Sequence, residues 1–326
     1  MNVGSGDMKA VGSEIDRLLH AAAAWQEQPL AIATVLQTWG SAPRPIGSHM
    51  LLARDGRFEG SVSGGCVEGA VMQAGAEAID DGKVRRLRFG VADEAAWEVG
   101  LPCGGEIEIL VQKVGSDGFA SGLFAAIADA RQVRQPLTVV TDLATGRSGL
   151  GRPSEGAFAV RYLPPRRAII IGAVEIARFL AVTLASLDIA PRVVDPRGRF
   201  LTEERFPEVA LDDRWPDEAV ASLAPDESTA VITLSHDPKI DDPALAAALR
   251  APTGYIAALG SKRSHAKRLE RLSAQGFPPH ALRRIEGPAG VMIGAIGPAE
   301  IAVSIAAGAI KAFRAQPVAG VGTLAA

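Results

Sequence analysis

The chain has 326 residues, enough for two domains of ordinary size, and 48% of them are hydrophobic, enough to fill a core in each. A formal net charge of −3 sets aside a nucleic-acid binder, which carries a basic face, and two cysteines in such a length do not make a disulfide scaffold. The longest apolar runs, such as RAIIIGAV and TAVITL, fall far short of the roughly 18 residues of a membrane span, and MNVGSGDMKAVGSEIDRLL has no apolar leader, so a soluble cytoplasmic protein is expected.

Residues 1–12, Gly- and Ser-containing with few anchors, are expected to be disordered. Ser13 then caps a helix whose Ile15, Leu18, Leu19 and Ala22 share one face. PLAIATVLQTWG reads as a strand, stopped by the Gly/Pro-rich GSAPRPIGS. HMLLARDGRFEGSVS reads as a hairpin turning at Asp55-Gly56. Its second arm runs into Ser63-Gly64-Gly65-Cys66, after which Val67, Ala70, Val71, Ala74 and Ala78 recur at helical spacing up to Asp81-Gly82. VRRLRFG and EIEILVQKV are strands, the second entered through LPCGG; 116–135 is an Ala-rich helix; PLTVVTDLATGRSGL and GAFAVRYL form a second hairpin-like stretch. PPRR at 164–167 is the natural linker, because consecutive prolines stiffen an extended chain.

Beyond the linker the rhythm changes. RAIIIGA, APRVVDPR, TAVITLSHD and TGYIAALGS are strands, and VEIARFLAVTLASL, DPALAAALR and KRSHAKRLERLSAQG are helices between and after them. A closing helix spans Pro298 to about Arg314, with Glu300 in its first turn as a capping residue. Alternating segments with wholly apolar strands imply a parallel, doubly wound sheet. The expected organisation is a cofactor-handling α+β domain over 13–163, a doubly wound α/β domain over 164–315, and a tail over 316–326.

Cys66 stands where a strand gives way to a helix, so the helix dipole favours its thiolate, while the N–H groups around Gly64 and Gly65 and the hydroxyls of Ser61 and Ser63 could cradle an anion. The alternative at this point is a small buried hydrophobe next to a helix cap. Cys103 in LPCGGEIEIL, followed by Gly104 and Gly105, divides evenly between a reactive thiol and a plain tight turn. No CxxC pair occurs and His20 and His49 are scattered, so zinc is not expected. In the second domain a dinucleotide fingerprint would place Gly172 first, but Val174 holds the second glycine's position, and NAD(P) binding is not expected. Asp195 takes the place of the ribose-binding acid; His236, Asp237, Lys239 and Ser261 lie at later strand ends, where such sheets bind ligands. Lys262, Arg263, Lys267 and Arg268 read as a solvated helix face.

GSAPRPIGSHMLL, GSVSGGCVEGAV, PCGGEIEIL, VVDPRGRF, LSHDPKIDDPAL, YIAALGSKRSHAKRLERL and IGAIGPAEIAVSI together resemble the XdhC/CoxI accessory proteins of molybdenum hydroxylases, over about residues 14–312. The resemblance implies an XdhC/CoxI-type first domain and a Rossmann-like second one. It implies binding of the molybdenum cofactor, support of its sulfuration with a cysteine desulfurase, and its insertion into an apo-xanthine dehydrogenase or related molybdenum hydroxylase. A homodimer with no resident metal is the accompanying expectation. The residues implied to meet the cofactor are Cys66, Cys103, Ser63, Gly64, Gly65, Gly104 and Arg44 of the first domain, with Asp195, His236, Asp237, Lys239 and Ser261 of the second. Glu175, Gly297 and Gly308 depart from the residues that many relatives carry, namely His, Thr and Glu. A nicotinamide-dependent oxidoreductase and a Cys-dependent sulfurtransferase are the rival readings.

Overall fold

The computed structural model describes residues 13–40, 44–90 and 105–315. Expectations for 1–12, Cys103, Gly104 and 316–326 lie outside the described residues. The described chain divides into two compact units, with the boundary between Pro164 and Pro165.

The first unit opens with α1 (Glu14–Ala24), whose N-cap Ser13 accepts from the Asp16 N–H. It continues through β1 (Leu30–Trp39), β2 (His49–Ala53), β3 (Phe58–Gly60), α2 (Glu68–Asp81), β4 (Arg85–Phe89) and β5 (Glu106–Lys113). The five strands form an antiparallel sheet in the order β3-β2-β1-β5-β4. α3 follows at Gly122–Gln132, shorter than the 116–135 expected, and then β6 (Leu137–Asp142), β7 (Ser148–Leu150) and β8 (Ala157–Tyr162), a separate three-stranded sheet.

β1 is buried without a break from Leu30 to Leu36 because both of its faces are covered. Ala31, Ala33 and Val35 pack with Val67, Val71, Ala74 and Ala78 of the α2 region. Leu30 faces Leu18 and Ala22 of α1, and Ile32 faces Leu123 and Ile127 of α3 together with Val139 and Tyr162 of the small sheet. α2 stops where Gly82 turns into the left-handed region, φ +73°.

The second unit comprises β9 (Arg167–Ile171), α4 (Glu175–Ser186), β10 (Ala190–Val194), β11 (Ala210–Asp212), α5 (Pro216–Ser222), β12 (Thr229–Thr233), α6 (Pro238–Arg250), β13 (Tyr255–Ala258), α7 (Lys262–Ala274), α8 (Pro279–Leu282), β14 (Ile285–Glu286) and α9 (Pro298–Ala315). Its six strands are all parallel, in the order β11-β10-β9-β12-β13-β14. Counted from β9, that is the 3-2-1-4-5-6 order of the doubly wound dinucleotide-binding sheet, with the reversal between β9 and β12. Successive residues of β9 feed opposite cores. Ala168 and Ile170 pack with α4 and α9, and Ile169 and Ile171 with α5 and α6. β11 and α5 fall in 201–228, where a short strand and a seven-residue helix leave too little periodicity to read.

Candidate functional site

In the first unit the strand register brings distant motifs to one end of the sheet. Trp39, the last residue of β1, lies opposite Glu106, the first of β5. Phe89, the last of β4, lies opposite Ile107, and Gly60, the last of β3, opposite Met50 near the start of β2. The loop after β1, the loop 61–67 and Gly105, where β5 is entered, therefore sit at the same end. Described residues of three of the idiosyncratic motifs share that end, although they are spread over some 65 residues of sequence.

The loop 61–67 is a self-contained hydrogen-bonded structure built around Glu68. One oxygen of its carboxylate accepts from Ser61 Oγ at 2.7 Å and from the Ser63 N–H at 3.0 Å. The other accepts from Ser63 Oγ at 2.5 Å, the Gly65 N–H at 2.8 Å and the Val67 N–H at 3.2 Å. Ser61 Oγ accepts from the Gly64 N–H, and Ser63 Oγ from the N–H groups of Cys66 and Val67. Gly64 and Gly65 have φ of +80° and +117°, a course that a side chain would strain. Partial burial works to raise the Glu68 pKa, but the hydrogen bonds from Ser61 and Ser63 outweigh it and hold it down at about 2.

This corrects the reading of the loop as an open anion cradle. Its N–H groups are already satisfied, and the anion is the chain's own. The alternative of a buried, inert Cys66 is also set aside: Ser63 is fully buried, whereas Cys66 is exposed. Glu68 is the residue that residue-by-residue reading missed, although an acidic side chain at a helix start after two glycines is a capping signal. Arg44 forms an ion pair with Glu14 of α1. The buried His49 is held between Thr34 Oγ1 at 2.9 Å and Tyr162 OH at 2.8 Å, and burial lowers its pKa to about 4. Among the described residues no group of three or more His, Cys, Asp or Glu could hold a metal ion.

In the second unit the carboxylate at the end of β10 is engaged by the fold itself. Asp195, wholly buried, accepts from the Ala173 N–H at 2.8 Å and binds Arg197 through its N–H, Nε and Nη2 at 2.8–2.9 Å. Burial works to raise the Asp195 pKa, yet the Arg197 guanidinium and the two N–H donors keep it below the ordinary carboxylate value. Both of its oxygens are thus engaged within the fold, which counts against the expectation that Asp195 meets the cofactor. Val174 is half-buried and packs against the core under α4 and α9. The tight point is Gly172, φ +101°, where an added Cβ would lie 2.9 Å from the Ser235 backbone nitrogen.

His236 is exposed with φ +63°, Asp237 caps α6 by accepting from the Lys239 N–H at 2.9 Å, and Lys239 lies exposed in the first turn of α6 rather than in a preceding loop. Ser261 caps α7, accepting from the Ser264 N–H at 3.1 Å. Arg268, expected on a solvated face, is 4% exposed instead. It donates to the Leu259 carbonyl at 3.0 Å and stands 3.7 Å from the buried Asp241, which in turn receives Ser235 Oγ at 2.6 Å. Glu300 accepts from the N–H groups of Ile296 and Gly297, the capping role expected of it.

Fold and site together define a two-part α/β protein. An antiparallel unit presents an exposed thiol at a sheet end, and a doubly wound unit follows whose switch-point loop is closed by its own carboxylate. The XdhC and CoxI family model matches residues 23–90 and the XdhC Rossmann domain model residues 168–308. The chain belongs to the XdhC and CoxI family. It is 31% identical over 284 residues to the molybdenum cofactor insertion chaperone PaoD of Escherichia coli, an alignment covering 85% of this chain and 81% of that one. It is 27% identical to a probable xanthine dehydrogenase subunit of Bacillus subtilis, covering 87% and 93%. The crystal structure of a xanthine dehydrogenase from Bacillus halodurans superposes with a TM-score of 0.73 at 25% identity, covering 93% of this chain and 96% of that one. No helix among the described residues is long and apolar enough to cross a membrane.

Proposed function

We propose that the protein binds the molybdenum cofactor, supports its sulfuration and inserts it into a xanthine dehydrogenase-type apoenzyme, acting as a stoichiometric carrier. The observation that carries the reading is the exposed Cys66 on the Glu68-bonded loop, at the sheet end where the family's motifs gather. A thiol is a soft, deprotonatable donor suited to a metal–sulfur centre in transit. The cofactor is cargo here, and what this chain supplies is a donor atom on a backbone already shaped to expose it. Ser63, Gly64 and Gly65 serve by shaping that loop, and Cys103 and Gly104 are proposed to meet the cofactor on the strength of the family motif alone. Arg44 belongs to the same proposal. The cysteine desulfurase partner, the homodimeric state and a cytoplasmic location complete it, supported by family membership.

The second unit is proposed to bind NAD(P) weakly or not at all, with the exposed His236, Asp237, Lys239 and Ser261 forming a contact edge for cargo or client and the buried Asp195 bracing the turn beside it. Val174 at the position of the second glycine supports this, and so does Asp195, which stands where a ribose-binding acid would and has both oxygens engaged. The test is direct. Protein purified from a molybdenum-replete host is oxidised and assayed for pterin fluorescence and for molybdenum. Wild type should carry both and Cys66→Ala neither, at unchanged thermal stability. Equal pterin in the two preparations would remove Cys66 from the function.

A further inference from the structure

Glu68 stands apart from other acidic residues at helix starts in this chain. Glu175 at the start of α4 pairs with the exposed Arg178, and Glu300 in α9 accepts two N–H groups. Glu68 accepts five hydrogen bonds from three backbone and two hydroxyl donors of one seven-residue loop. None of these donors belongs to Cys66, whose N–H is held instead by Ser63 Oγ, itself a donor to Glu68. The chain of contacts therefore runs from the Glu68 carboxylate through the Ser63 hydroxyl to the Cys66 backbone, and the thiol is the group left facing outward. Without the carboxylate, the Gly65 and Val67 N–H groups and two hydroxyls lose their common acceptor, and two glycines give the loop many other conformations to adopt.

We infer that Glu68 is a positioning residue: an internal anion that fills the loop's N–H cradle and thereby fixes the Cys66 thiol in its outward, cargo-facing position. Two consequences follow. The loop does not recognise its cargo through a phosphate, since the groups that would bind one are taken. Cargo contact at this loop is made by the thiol, on a backbone organised before the cargo arrives, which spares the cost of ordering it on binding.

The cargo part rests on the reading of Cys66 given above, so the test has an arm independent of it. Peptide-resolved hydrogen exchange over 58–71 is measured on the full chain for wild type, Glu68→Gln and Glu68→Ala, each with and without formate. Gln keeps the shape but turns an amide toward donors. Asp, which keeps the charge one methylene short, is the second variant should Gln fail to fold. Amides of 63–67 should exchange at least about tenfold faster in Glu68→Gln, with α2 and β5 protected as in wild type. Formate should restore protection in Glu68→Ala by entering the vacated cradle. Pterin retention should fall about tenfold in Glu68→Gln, the range found when a group orienting a metal ligand is lost, and should recover with formate in Glu68→Ala. Wild-type protection of 63–67 in both variants would overturn the inference, as would loss of protection across the whole unit without formate rescue. If the exchange results hold while Cys66→Ala still retains pterin, the cargo reading fails and the positioning of the loop by Glu68 stands.

Discussion

Each unit contains a glycine-bearing junction where a strand passes into a helix, and in each a carboxylate of the chain accepts from backbone N–H of the turn, from three groups in the first and one in the second. At 61–68 the carboxylate comes from the helix start itself and the turn leaves Cys66 exposed. At 172–175 it comes from the end of the neighbouring strand, Asp195, and the turn is pressed against Ser235 with no reactive group presented. The difference shows that glycine at a strand–helix junction does not by itself make an anion site. What matters is whether the N–H groups have found an acceptor already, and what the resulting turn pushes outward.

The sharpest way to break the comparison is at the closed junction. Gly172→Ala places a Cβ 2.9 Å from the Ser235 backbone nitrogen at φ +101°, so the second unit should lose about 2–5 kcal/mol, from backbone strain and overpacking together. A denaturant midpoint equal to wild type would mean that the junction can open, and a dinucleotide could then enter it.

A second test separates the units by pH. His49 is neutral in the fold with a pKa of about 4 against an ordinary 6.5, so between those values the unfolded chain binds the extra proton. Its folded pKa is depressed, hence stability is full above about 6.5 and falls as pH drops toward 4, by about 3 kcal/mol over the whole window. Urea unfolding of wild type against His49→Gln from pH 7 to 4 should converge accordingly. A constant difference would show that burial of His49 does not set its titration.

A smaller effect is expected from Glu68, whose carboxylate is partly open to solvent. With its pKa lowered from 4.5 to about 2, its contribution is present above 4.5 and is lost as pH falls through about 2. The stability gap between wild type and Glu68→Gln should therefore shrink between these values, mostly below the His49 window. A gap that closes above pH 5 would assign the difference to another group.

The smallest effect tests the open junction. Cys66→Ala removes an exposed thiol, so thermal stability should stay within about 0.5 kcal/mol of wild type. A larger loss would make Cys66 a packing residue and dissolve the contrast between the two junctions.

Much of the second unit could be read directly. RAIIIGA, TAVITL and YIAAL are apolar on both faces because helices cover both sides of a parallel sheet, and that pattern, with helices alternating between, admits few other folds. The first unit was less transparent in its arrangement than in its elements. Its hairpin, its Cys66 helix and its strands follow from local patterning, but nothing local says that β1 pairs with β5 across the β2–α2 excursion, or that Trp39 meets Glu106. Register depends on which faces are buried together, a property of the assembled sheet.

The site divides along the same line. Sequence by itself determined that a cysteine stands at a glycine-rich helix start, that a doubly wound sheet follows, and that its fingerprint lacks the second glycine. Only the tertiary structure decided that Cys66 faces out, that Glu68 fills the cradle beside it, that Asp195 is spent on Ala173 and Arg197, and that Arg268 is buried against Asp241. The physical reason is common to all four. Residue type fixes which hydrogen bonds and charges a side chain can offer, but which partner satisfies them is settled by groups brought within about 3 Å by the fold.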